Sequence, residues 1–422
     1  MNILVINSGS SSIKYQLLDM DRERVLVTGL VERIGEVHGG LTNRTNPGTK
    51  NERLIQRSPT IPDHNSGMRL VIEQLIHGQD GPVVGDISEI HAVAHRIVHG
   101  GESFRQPVLV TEKVIEAITA NVVLAPLHNS ANLEGIRVAM ELFPDVEQVA
   151  VFDTVFHQTI PPYAFLYALP YELYEKDRIR RYGFHGTSNK FVAGECARIL
   201  DKPVQECNLI TLHLGNGCSV TAVKNGCSVD TSLGITPLEG PVMGTRCGDV
   251  DPALHAILHR NRGMDIEAID TMLNRESGLK GVCGLNDMRD IHAARQKGDE
   301  MAQLAFDMFV YRIKKYIGMY FAVLGRVDAV IFTAGIGEND SEVRESVLSG
   351  LQGLGITLDK VANDRCPDAW MRINAPESRV EVLVIRTNEE LEIGRQAVEV
   401  LSQELVRESP FWAATLQSGM VS

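Results

Sequence analysis

The chain reads as an α/β protein of two domains built on a repeated plan, and three observations predict this. Its 422 residues exceed what one ordinary core organises, and a hydrophobic content of 44% is ample for two. Short apolar strands alternate with helical patterns along most of its length. Residues 2–20 read as strand, small-residue turn, strand, and Asn208 to Val223 takes the same form later in the chain.

In the first hairpin Ile3 to Ile6 is a β-branched apolar run, Ser8 to Ser12 a turn almost without side-chain bulk, and Ile13, Tyr15 and Leu17 alternate with Lys14 and Gln16. Backbone N–H groups in such a turn, with Ser hydroxyls and Lys14, can cradle a phosphate; Ser and Gly also simply make a good turn. Residues 36–67 read as loops and short edge strands. Met68, Val71, Ile72, Leu75 and Ile76 space an amphipathic helix that Gly78 stops. The apolar strand in IHAVAHRIVHGG carries His95, Arg96 and His99. Arg96 is either paired with a carboxylate of the fold or set to bind an anion through its planar fork. The two histidines lack a third metal ligand nearby and read as structural.

A helix starts near Thr111. In LAPLHNSANL, Pro126, Leu127 and His128 precede another helix, expected to be capped by Asn129 or Ser130 and to run to Pro144. The strand in VAVFDTVFHQTIPP ends at Asp153, which is either a cleft acid at a strand's C-terminal edge or a salt-bridge partner. His185 sits between Phe184 and Gly186, before a helix expected to be capped by Thr187 or Ser188. It is placed to act as a donor or cation. After the second hairpin and its Gly215, Asn216, Gly217 turn, Ser232 to Pro252 lacks periodicity. Long loops of this kind are usually functional. This one presents Arg246, and Pro252 is read as opening the next helix. Asp299 to Leu324 is one long core or dimer helix. VDAVIFTAGIGEN reads as a strand, a Gly335-x-Gly337 loop and a helix from Ser341, a shape that suits nucleotide binding without the third glycine of a dinucleotide fingerprint. A last strand in VEVLVIRTNEEL delivers Asn388, Glu389 and Glu390 into the terminal helix.

Charge and cysteine content narrow the function classes. With 41 Lys and Arg against 54 Asp and Glu, the net charge of −13 argues against nucleic-acid and anionic-membrane partners. Any bound anion must be held by local cations. The seven cysteines are odd in number, scattered and free of Cys-x-x-Cys pairs, so neither a disulfide framework nor a zinc site is expected. With no basic leader and no apolar run of membrane-spanning length, a cytoplasmic location is expected.

Nine motifs in order, VINSGSSSIKYQL, HRIVHGGE, APLHNSANL, VFDTVFHQT, RYGFHGTS, HLGNGCS, MGTRCGDVDP, FTAGIGEN and TNEEL, resemble the acetate kinase family from Asn2 to about Val406. The resemblance implies two duplicated actin-like (ribonuclease H-like) ATPase domains with a cleft between them: residues 1–150, with the helix at about 388–406 packing back on them, and residues 151–387. The tail is 408–422. It implies reversible Mg²⁺- or Mn²⁺-dependent transfer of a phosphoryl group between ATP and acetate, propionate kinase being the alternative, in a cytoplasmic homodimer.

By the same resemblance Asn7 and Glu389 place the metal and Lys14 meets the nucleotide phosphates. His213, Leu214, Gly215, Asn216 and Gly217, then Asp287, Met288 and Arg289, then Gly335, Ile336, Gly337, Glu338 and Asn339 hold the nucleotide. Arg96 and Arg246 clamp the carboxylate and the migrating phosphoryl group, and His185 donates to its equatorial oxygens. His128 assists, and Asp153 is the catalytic acid residue. Val98, Leu127, Phe184 and Pro237 line the methyl pocket, and a branched residue at 98 favours acetate. Asn189, Cys218, Cys247 and Arg386 stand where the family usually has His, Ala, Ser and Pro. Cys218 and Cys247 adjoin the nucleotide and arginine loops, so thiol modification is expected to inhibit.

Overall fold

The computed structural model describes residues 1–78 and 82–408, so the tail expected beyond Glu408 lies outside the described residues. The described residues form two compact units, residues 1–155 with 388–408, and residues 156–387.

In the first unit the strands are β1 (Asn2–Gly9), β2 (Ser12–Asp19), β3 (Arg24–Glu32), β4 (Gly40–Thr45), β5 (Arg53–Arg57), β6 (Ala92–Ile97), β7 (Val108–Leu109) and β8 (Glu147–Phe152). They form one sheet in the order β5-β4-β3-β2-β1-β6-β8-β7. β1 pairs antiparallel with β2 and parallel with β6, which pairs parallel with β8. In the second unit β9 (Asn208–Leu214), β10 (Cys218–Lys224), β11 (Cys227–Thr231), β12 (Ala329–Thr333), β13 (Trp370–Arg372) and β14 (Glu381–Ile385) order as β11-β10-β9-β12-β14-β13. The antiparallel triplet β11-β10-β9 and the parallel neighbours β12 and β14 reproduce β3-β2-β1, β6 and β8. Each unit therefore carries the same five-stranded core, the duplication that the paired hairpins predict.

Period-two alternation decides which residues meet which layer. From β1, Leu4 and Ile6 share a core with Met68, Val71 and Leu75 of the helix His64–His77, and with Ala139 of the helix Pro126–Leu142 and its C-cap residue Phe143. Ile3 and Val5 face the other way, and pack with Ile393, Ala397 and Val400 of the helix Glu389–Glu408. In the second unit β9 and β12 are buried along their whole length, as strands covered on both faces are. The helix Glu300–Leu324 is capped by Asp299, whose carboxylate accepts from the Met301 and Ala302 N–H groups, and it buries Phe306, Phe309, Ile313, Tyr316, Ile317 and Tyr320.

Three local expectations need correction. The first hairpin turn is Ser10–Ser11 alone, because Gly9 already pairs with Ser12. The helix after Ala125 starts at Pro126 without a side-chain cap, so Asn129 lies inside it, where the side chain is buried. Residues 334–339 form a short helix instead of a loop, followed by the helix Ser341–Leu348 with Asp340 as its cap.

His95 and His157 are fully buried in the neutral form. His95 pairs with Gln148 Oε1 at 2.8 Å, and His157 lies between Ser228 Oγ (2.8 Å) and the Phe184 carbonyl (2.9 Å). Burial pushes each pKa down to about 4. Between pH 6.5 and 4 the unfolded chain binds protons that the folded chain refuses, so their contribution is complete above pH 6.5 and is lost as pH falls toward 4. Urea midpoints are expected to drop over that interval, and to drop less steeply in His95→Gln and His157→Gln. An unchanged slope in both variants would refute this account.

Candidate active site

In the first unit the hairpin register sets Asn7 directly opposite Lys14, so both side chains leave the same face of the sheet. Arg96, on β6, donates from Nε to Asp153 Oδ1 at 3.2 Å, from Nη2 to Asp153 Oδ2, and from Nη1 to Asn7 Oδ1 at 3.4 Å. Asp153 follows the end of β8 and is only 1% exposed. Of the two readings of Arg96, the fold pairs it with a carboxylate. Burial opposes its charge, but Asp153, Glu389 and Glu390 outweigh that and hold its pKa above the ordinary value. Lys14 forms an ion pair with Glu390 in the first turn of the terminal helix. Asn7, Lys14, Arg96, Asp153, Glu389 and Glu390 thus form one polar cluster at the ends of β1, β6 and β8.

Two asparagines of the helix Pro126–Leu142 hold this cluster's backbone. Asn129 accepts from the His99 N–H (3.1 Å) and donates to its carbonyl (2.9 Å). Asn132 accepts from Val98 N–H (3.1 Å) and donates to the Ser8 carbonyl at the hairpin (2.8 Å). Their spacing of three places both on one helix face, a signal that the capping reading of Asn129 obscured. Val98 is buried and His128 exposed in the first helical turn. Leu127 is in that turn too, but its side chain lies outside the described residues.

In the second unit the β9–β10 turn, Gly215 to Gly217, is closed by the Gly215 N–H donating to the Gly217 carbonyl at 3.0 Å. Two side chains lie against Gly217: a Cβ there would meet Arg246 Nη1 at 3.3 Å and the His185 ring at 3.8 Å. Arg246 and His185 therefore converge on this turn. His185 adopts a left-handed backbone (φ 57°) and is itself the N-terminal cap residue of the helix Gly186–Ile199, in place of Thr187 or Ser188. Its ring stacks on His213 (centroids 4.0 Å apart) and its Nδ1 meets Ser219 Oγ at 3.0 Å. Asn189 donates to the His185 carbonyl (2.9 Å) and accepts from Thr211 Oγ1 (2.5 Å), so its amide anchors the backbone at His185. His157, missed in the sequence, pins the carbonyl of buried Phe184.

Arg246 contrasts with Arg96. Its Nη1 donates to the Pro237 carbonyl at 3.2 Å and contacts Met243 Sδ at 3.7 Å. Among the described residues no carboxylate forms an ion pair with it. Burial lowers its pKa. A partly buried guanidinium held by neutral groups is ready for an anion.

Beside this turn lies a cavity of about 880 Å³, lined by Gly215 and Asn216, by Asp287, Met288 and Arg289, and by Gly335, Ile336 and Asn339, together with Asn286, His292 and Asp340. Three segments expected to hold the nucleotide come together here. His213 and Leu214 lie in β9, and neither they nor Gly337 and Glu338 are among the residues lining the cavity. Glu338 Oε1 accepts from the N–H groups of Ala334 (2.8 Å) and Thr387 (3.0 Å), which staples the left-handed Ala334 (φ 64°) in place. Arg289 grips Asp287 with two hydrogen bonds (2.9 and 2.6 Å), and that pairing brings the Asp287 pKa down to about 2.

The family model for the acetokinases matches residues 2–395. The chain belongs to the acetokinase family. An acetate kinase of Desulfotalea psychrophila is 59% identical over 95% of this chain and all of its own length, and one of Halothermothrix orenii is 52% identical over the same shares. Among solved structures, the acetate kinase of Porphyromonas gingivalis superposes with a TM-score of 0.89 at 41% identity, covering 95% of this chain and 99% of its own. A propionate kinase of Francisella tularensis follows at 0.87 and 42%, covering 94% and 98%. The two acetokinase units are actin-like.

Burial argues against ready modification of Cys218 and, less strongly, of Cys247. Cys218 is fully buried, donates to the Gly215 carbonyl, and burial pushes its thiol up to about 12; Cys247 is half-buried and is also raised by burial. Reactivity needs thiolate and access. Iodoacetamide on the folded protein is expected to label exposed Cys227 and Cys366 first and Cys218 only after unfolding, read by peptide mass spectrometry. Labelling of Cys218 as fast as Cys227 contradicts this.

Proposed function

We propose that this acetokinase transfers the γ-phosphoryl group of ATP to acetate, reversibly, giving acetyl phosphate and ADP. The observation that carries the reading is the convergence of Arg246 and His185 on the Gly217 turn, whose neighbours Gly215 and Asn216 line the nucleotide-sized cavity. An acetate oxygen bonds to the γ-phosphorus while the bond to the β,γ-bridging oxygen breaks, leaving ADP. Acetate is already ionised at neutral pH, since carboxyl pKa values lie near ~4, so no base has to remove a proton. Catalysis then rests on orientation and on cations aimed at the equatorial oxygens. Arg246 and His185 supply these in the second unit. Arg96 is assigned to the carboxylate, His128 to the phosphate, and Val98, Leu127, Phe184 and Pro237 to the methyl group.

Asp153 fixes Arg96 through two hydrogen bonds, which supports an orienting role over proton transfer. Asn7 and Glu389 offer hard oxygen donors, and among the described residues no group of three or more His, Cys, Asp or Glu forms a metal cage. That donor set suits Mg²⁺, which keeps most of its shell as water and phosphate oxygens. When bound, the ion neutralises phosphate charge. The thiols, free of disulfides, suit a cytoplasmic protein. Exposed Leu304, Tyr311, Met319 and Val323 along the helix Glu300–Leu324 support a homodimer.

With purified protein, ATP and Mg²⁺, a hydroxamate assay for acyl phosphate is expected to rank acetate above propionate and propionate above butyrate. Arg96→Ala should lower the acetate signal by about 100-fold or more. Propionate equal to or above acetate would overturn the substrate assignment. Asp153→Asn is expected to lose activity without moving the pH optimum, and a shifted acid limb would instead make Asp153 a proton donor.

A further inference from the structure

The loop from Ser232 to Pro252 has no helix or strand of its own, yet it must hold the Arg246 guanidinium in one place. Its second half, from Gly240 to Asp249, is closed by a clasp. Asp249 N–H donates to the Gly240 carbonyl at 2.9 Å, and Asp249 Oδ1 accepts from the Gly240 N–H at 2.9 Å. The other carboxylate oxygen accepts from Tyr316 Oη at 2.7 Å, and the Asp249 carbonyl accepts from Arg312 Nη1 at 3.3 Å. Both partners stand on the helix Glu300–Leu324, and Tyr316 is buried in it. The clasp admits nothing larger than glycine beside it. Gly240 has φ 118° with Ser232 against its absent Cβ, and at Gly248 (φ 69°) a Cβ would collide with the Gly240 carbonyl.

Arg246 lies between the clasped residues, while the carbonyl that orients its guanidinium belongs to Pro237, before the clasp. The Asp249–Gly240 closure and its anchor on Tyr316 therefore join residues 237 and 246, alongside the bonds from Met243 N–H to the Arg246 carbonyl (3.2 Å) and from Cys247 N–H to the Leu273 carbonyl (3.0 Å). We propose that Asp249, with Tyr316 behind it, is the positioning residue of Arg246: it fixes the angle at which the guanidinium meets the phosphoryl oxygens without touching them itself. This rests on the reading of Arg246 given above.

A double-mutant cycle tests it on the full chain. In the wild-type background Asp249→Ala is expected to lower kcat by about 30- to 100-fold, the scale of a misplaced catalytic group, with KM for ATP within about twofold. Tyr316→Phe should give a smaller loss in the same direction. In an Arg246→Ala background either change should cost less than about twofold more, because nothing remains to position. Thermal melts and ATP titrations establish that each variant is folded. Should Asp249→Ala fail to fold, Tyr316→Phe carries the cycle alone. Equal losses in both backgrounds, or no loss in wild type, overturn the proposal. Full activity in Arg246→Ala overturns it together with the assigned role of Arg246, whereas the proposed substrate is judged separately by the acid series.

Discussion

The pairing of Arg96 with Asp153 is the interaction on which the first unit's chemistry depends. A guanidinium at the end of a buried strand costs several kcal/mol in lost hydration unless a carboxylate meets it. Asp153 can do so only because β6 and β8 run parallel and side by side, ending at the same level. The pair therefore ties the charge to the sheet register. It also leaves Nη1 directed at Asn7, so the same cation organises the neighbouring hairpin. Removing Asp153 would strand a buried charge, a change that reaches further than the loss of one acid.

The second unit solves the same problem in the opposite way. Arg246 is given a carbonyl and a thioether instead of an acid, so its charge is only partly compensated. Arg246 keeps part of its hydration, because its side chain is only partly buried. A chain with a net charge of −13 can bind a polyanion only where such cations are kept from its own carboxylates. Arg246 and His185 at a bare glycine turn meet that condition, and His213, stacked beneath His185, keeps the imidazole from turning away.

Duplication supplies the frame for both arrangements. Each unit carries a hairpin with a short turn beside a parallel strand pair; the first unit sets Arg96 on strand β6, whereas the second brings Arg246 from a loop and His185 from a helix N-cap to its hairpin turn. The turns differ in size, two residues in one and three in the other, and in what they do. Ser10–Ser11 lies beside a cluster of ion pairs, while Gly215 to Gly217 borders the cavity.

Much was legible in the sequence because it is local. Period-two alternation marks β1 and β2, helical spacing marks the helix Glu300–Leu324, and the ordered motifs name the family and the residue types of its chemistry. What the sequence leaves open is pairing. Arg96 read equally well as ion-paired or anion-seeking, because the acid that decides stands 57 residues away. Asn129 read as a cap, when its amide instead spans to His99 across the fold. Cys218 adjoined a functional loop in the sequence, and only the fold shows that it is buried, with its thiol pKa raised as a result. Asp249 and Tyr316 share no motif at all. Hydrophobic periodicity and turn chemistry are properties of neighbouring residues, so the sequence by itself determined the elements and the family. Desolvation and hydrogen-bond partnership arise only when distant segments meet, so the charge state, reach and support of the site residues were decided by the tertiary structure.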